Sequence, residues 1–102
     1  MNVEDYVRQV LRSYLDLEDT PTRDRPADRR LARSLYEQGV SQAHVRTAFL
    51  IAAMRRRYRP ADAPKLGRIR SLAYFVPVIK ELEGFDDIEG YLEYLERDTD
   101  RQ

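Results

Sequence analysis

Apolar side chains open the chain at Val3, Tyr6, Val7, Val10, Leu11, Tyr14 and Leu15, spaced 3,1,3,1,3,1. That repeat predicts a helix with one apolar stripe over about residues 2–17. Glu4 and Asp5 fall in its first turn, where the helix dipole favours acids, and Glu4, Arg8 and Arg12 follow at i,i+4 on its polar side. Residues 18–26 then lose the pattern and hold Pro21 and Pro26. A residue before proline is biased away from helix, so this stretch reads as a loop. Pro26 suits the first turn of a second helix, about 27–38, with Leu31, Ala32 and Leu35 facing inward and Arg29, Arg30 and Arg33 on the other side. Gly39 ends it. Ser41 is a natural N-cap for a third helix, 42–58, in which Ala43, Val45, Ala48, Phe49, Ile51, Ala52 and Met54 leave almost no polar face. A helix apolar all round belongs at the centre of the fold.

The segment Arg59–Arg68 holds two prolines and a glycine and predicts a loop. The next stretch, residues 68–84, is the most apolar of the chain. Ile69, Leu72, Val76 and Ile79 recur at 3,4,3, and Tyr74, Val78 and Leu82 at 4,4, which predicts a helix closed by Gly84. Pro77 interrupts it. A proline lacks the N–H and clashes with the carbonyl four residues back, so a kink or break is expected near Ala73–Pro77. A short last helix follows from Asp86-Asp87-Ile88-Glu89, which resembles a capping box, with Ile88, Tyr91, Leu92 and Leu95 as its apolar positions. Gly90 weakens it by about 1 kcal/mol relative to alanine. Asp98–Gln102 is expected to fray. There is no strand pattern and no repeat, so the sequence predicts one all-α domain, a bundle of about five helices with 42–58 packed on 69–83.

Composition narrows the function classes. The chain has 102 residues, 35% charged and 42% apolar, which suits a charge-rich globular domain rather than a disordered one. Cysteine is absent, which excludes disulfides and thiolate metal sites. The longest apolar run, Ala48–Met54, is far short of a membrane span, and MNVEDYVRQ has no signal-peptide pattern, so a cytoplasmic protein is expected. His44 is the sole histidine and stands in the first turn of a predicted helix, a surface or capping position. Asp86, Asp87 and Glu89 do not form a cation-binding loop motif, and all four glycines are isolated, so no phosphate-cradling loop exists. No catalytic set, cofactor motif or metal site stands out, and a non-enzymatic protein is expected.

Charge supplies the candidate chemistry. The net charge is zero, yet residues 55–80 sum to +7 and residues 81–102 to −7. Sixteen of the eighteen basic residues are arginine, a bias that genomic base composition explains as well as phosphate recognition does. Arg55, Arg56, Arg57 and Arg59 close one helix, and Lys65, Arg68 and Arg70 bracket the next, with Tyr58 among them as a side chain able to stack on a base. These eight residues are the candidate nucleic-acid site, of the salt-dependent, weakly sequence-specific kind. The competing reading pairs the same arginines with Glu89, Glu93, Glu96 and their neighbours, within the domain or between copies.

From Gly39 to about residue 90 the chain resembles the C-terminal helical domain of the DnaD/DnaB-type primosomal proteins of bacterial replication initiation. Val45–Ala53 is similar to that family's alanine-spaced helix. Tyr74-x-x-x-Val78-x-x-x-Leu82 is similar to its tyrosine-led helix, with Val and Leu in place of Ile and Trp, and Gly84-Phe85 to the turn behind it. The chain also looks like small replication proteins of plasmids or mobile elements. The resemblance implies binding to DNA, single- or double-stranded, or to replication proteins, without enzymatic chemistry. The alternative is a protein-interaction or self-association adaptor, a homo-oligomer among its forms, using the apolar Phe75/Val76 region and the opposed charges of 55–80 and 81–102.

Overall fold

The computed structural model describes residues 1–100, with side chains as far as Arg97. Over those residues the chain is all-α, with helices α1 (Val3–Leu15), α2 (Pro26–Glu37), α3 (Gln42–Arg57), α4 (Val76–Glu81) and α5 (Ile88–Asp100) and no strand. A 3-10 turn, Leu72–Phe75, leads into α4. None of these helices is long and apolar enough to cross a membrane.

Local chemistry sets the boundaries. Asn2 Oδ1 accepts the Asp5 N–H at 2.8 Å and starts α1. Ser41 Oγ accepts the His44 N–H at 3.0 Å and starts α3. Behind α2, Gly39 takes φ 79°, its N–H donates to the Tyr36 carbonyl, and the Val40 N–H donates to Leu35, a Schellman closure that favours glycine. Asp87 Oδ1 accepts the Gly90 N–H at 3.2 Å and caps α5. A Cβ on Gly90 would run into that same carboxyl group, which ties the helix-weakening glycine to the cap. The helix extends to Asp100, beyond the Asp98 where fraying is expected; residues 101 and 102 lie outside the described residues.

α3 is the hub. It packs against α1, α4, the 3-10 turn and α5, while α2 covers α1 and the turn. Tyr14, Phe49 and Phe75 are completely buried where α1, α3 and the turn meet, with Phe49 and Phe75 rings edge-on at 4.8 Å. His44 is half-buried and does more than serve the cap: its Nε2–H donates to the Ile79 carbonyl at 2.7 Å and fastens the start of α3 to α4.

The stretch 68–84 departs from expectation in its first third. Residues 68–71 are not helical, and Ser71 is extended, although Ile69 is buried as its pattern requires. The Ile69 N–H donates sideways to the Asp19 carbonyl at 2.8 Å instead of to a preceding turn. Pro77 sits in the first turn of α4, where its missing N–H costs nothing, and the chain before it can manage only a 3-10 turn. The change from 3-10 to α turns lies at Phe75–Val76, inside the expected Ala73–Pro77 window. It also divides the tyrosine-led helix that the primosomal resemblance implies: Tyr74 is in the 3-10 turn, Val78 is in α4 and Leu82 caps it.

Candidate nucleic-acid interface

The last turn of α3 points its arginines in different directions, and each finds an acceptor. Arg56 is the most enclosed, with its side chain 12% exposed. Its Nη2 donates to the Gly67 carbonyl at 2.7 Å and to Asp19 Oδ2 at 3.3 Å. Its Nη1 donates to the Tyr74 hydroxyl at 3.1 Å, and the guanidinium lies over the Tyr74 ring, 5.5 Å from its centre. The Tyr74 hydrogen bond and, after it, Asp19 raise its pKa further and keep it charged. Arg55 pairs with Glu81 at 2.8 Å, which raises its pKa likewise. Arg57 pairs with Glu18 at 3.0 Å, and Arg59 donates to the Pro64 carbonyl at 2.9 Å.

These contacts fold the proline-rich connection back along the end of α3. Arg59 holds it at Pro64, Arg56 at Gly67, and Asp19 at Ile69. Asp19 can do this because it adopts φ 66°, a left-handed conformation that aspartate tolerates, which frees its carbonyl for Ile69 while its carboxylate meets Arg56. Lys65, Arg68 and Arg70 are all exposed, as are Arg55, Arg57 and the 57%-exposed Tyr58. The connection that carries Lys65, Arg68 and Arg70 is thus held to the end of α3 at Pro64 and Gly67.

Beside the end of α3 is a cavity of about 290 Å³. Leu17, Leu50, Met54 and Ile69 line it together with Asp16, Glu18, Asp19, Arg56, Arg57 and Tyr58. Acids there repel phosphate, whereas an apolar lining with Tyr58 suits a base. The sequence reading missed Glu18, Asp19, Tyr74 and Glu81 as anchors of this edge. Only the alternation of arginine with acids across distant loops signals them, and no local spacing does. Among the described residues, Arg55 pairs with one member of the acidic segment, Glu81, and Glu93 pairs with Arg97 inside α5 at 3.4 Å. Nothing in the edge provides a nucleophile with a base, and no group of three His, Cys, Asp or Glu able to hold a metal occurs among the described residues.

No family model, curated protein or solved structure matches the chain. The likeness to primosomal proteins rests on the quoted residues alone.

Proposed function

We propose that this chain is a non-enzymatic helical module that binds nucleic-acid phosphates through Lys65, Arg68 and Arg70 together with Arg55, Arg57 and Arg59. The observation that carries this reading is the bracket made by Arg56, which holds Gly67 and Asp19 together and so aligns the displayed cations with the end of α3. Arg56 is the positioning residue of the set. Its side chain is only 12% exposed, unlike the exposed Arg55, Arg57 and Arg59, so it shapes the edge instead of touching phosphate. Arginine forks at the edge match phosphate oxygens bidentately, and their contacts carry no base information. Tyr58 offers its face to an unpaired base, which favours single strands or the open end of a duplex. Work in a replication-initiation complex is the setting that the primosomal resemblance suggests.

Fluorescence anisotropy with labelled single-stranded and duplex DNA tests this. Binding of the wild-type chain at low salt is expected within the range of non-specific affinities, about 10⁻⁴–10⁻⁶ M at physiological salt and tighter below it. Tyr58→Ala should weaken single-strand binding by about 1–3 kcal/mol and change duplex binding little. Absence of binding to either DNA at low salt would overturn the proposal.

A further inference from the structure

Two other surfaces of the molecule fit each other. The first is a groove between α1 and α2, about 550 Å³ in volume. Val7, Leu11 and Leu15 floor it. Arg8, Arg12, Arg29, Arg30 and Arg33 line its sides, against Glu4 and Asp24 alone. Arg29 is engaged with Asp24 at 2.6 Å and Arg8 with Asp5 at 3.4 Å, the latter in place of the Glu4 partner expected from i,i+4 spacing. Arg12, Arg30 and Arg33 are exposed.

The second surface has the opposite relief and charge. Phe85, Tyr91 and Tyr94 form a ladder along the start of α5, with ring centres 5.3 and 6.3 Å apart. Phe85 is 47% and Tyr94 61% exposed, large apolar areas for a chain of this size. Residues 81–97 around them carry seven acids against Arg97. In the Phe75/Val76 region, the self-association surface that the sequence suggests, Phe75 is completely buried and Val76 half-buried.

We propose that the aromatic, acidic α5 face of one copy of this chain docks in the arginine-lined α1–α2 groove of a second copy. An aromatic ridge flanked by glutamates enters an apolar-floored groove flanked by arginines, the pattern of a helix seated in a groove. The contact cannot form within one copy. Leu92 of α5 shares a cavity with Gln9 and Ser13, on the other side of α1 from the Val7, Leu11 and Leu15 groove. Nor can α5 faces pair with each other, since both carry the same negative charge. The contact is therefore head-to-tail, and head-to-tail contacts build rings or filaments rather than closed twofold dimers. It leaves the Lys65–Arg70 edge uncovered and does not depend on the nucleic-acid reading.

Sedimentation velocity on the full chain at low salt, across a concentration series, is the test. The wild type should grow beyond a dimer with concentration and return to monomer as salt rises. Phe85→Ala/Tyr94→Ala and Arg30→Glu/Arg33→Glu change exposed positions, and circular dichroism should show each variant folded and each monomeric alone. Mixed, the two variants retain one good face apiece, so they should form a one-to-one pair that grows no further. A wild-type chain that stays monomeric throughout, a wild type that stops at a dimer, or a mixture that remains monomeric would each overturn the proposal.

Discussion

Arg56 and Arg68 lie twelve residues apart in the same basic segment and have different jobs. Arg56 satisfies three acceptors and a ring, so truncating it leaves those groups unpaired. Arg56→Ala should cost about 1–3 kcal/mol in urea unfolding, whereas Arg68→Ala, at an exposed position, should stay within about 0.5. Composition treats the two alike; only the fold of the loop separates them. Asp28 is a similar case. It reads as an ordinary first-turn acid, yet it is 2% exposed and accepts both the Arg25 N–H and the Leu72 N–H, each at 2.9 Å. The tyrosines of α1 make a sharper contrast. The Tyr6 hydroxyl donates to the Val40 carbonyl at 2.8 Å, whereas the buried Tyr14 hydroxyl finds no partner among the described residues. Tyr6→Phe should therefore lose about 1 kcal/mol and Tyr14→Phe nothing, or gain slightly. Burial pushes both phenols up to about 12, aided at Tyr14 by the Asp28 charge. Unfolded tyrosines ionise near 10, so the unfolded chain sheds these protons first. Stability should hold below about pH 10 and fall from there towards pH 12, read as a declining urea midpoint.

At the scale of elements, most boundaries were legible because each had a local cause. Ser41 and Gly39 mark their helix ends by capping chemistry alone. The error at residues 68–71 has an equally physical source. Ile69 and Leu72 are both buried, but an apolar spacing of three does not distinguish a helix from an extended strand-like segment turning into a 3-10 turn. What decides it is the long-range bond from Ile69 to Asp19, which no window of sequence contains. Pro77 is readable as an interruption, and in the first turn of α4 it costs the folded chain no hydrogen bond. Pro77→Ala should reduce stability by about 0.4–1 kcal/mol, because the proline restricts the unfolded chain at no cost to the folded one. A rise in the thermal midpoint would contradict this.

For the molecule as a whole, the hydrophobic pattern was sufficient to place α3 at the centre. Phe49→Ala, which empties the space between Tyr14 and Phe75, should cost about 3–5 kcal/mol in equilibrium unfolding. The distribution of charge was legible only as totals. The sums over 55–80 and 81–102 suggested that the two segments neutralise each other, whereas the arginines of α3 draw two of their three acidic partners from the α1–α2 connection. That arrangement keeps Lys65, Arg68 and Arg70 displayed, and the nucleic-acid reading stands on them. The salt dependence of DNA affinity measures their part directly. Each phosphate neutralised contributes about 0.9 to the logarithmic slope on duplex and about 0.7 on single strands. The variant Lys65→Ala/Arg68→Ala/Arg70→Ala should lose about 2.7 and about 2.1 of slope respectively, at unchanged stability. A variant that keeps the wild-type slope would contradict the account.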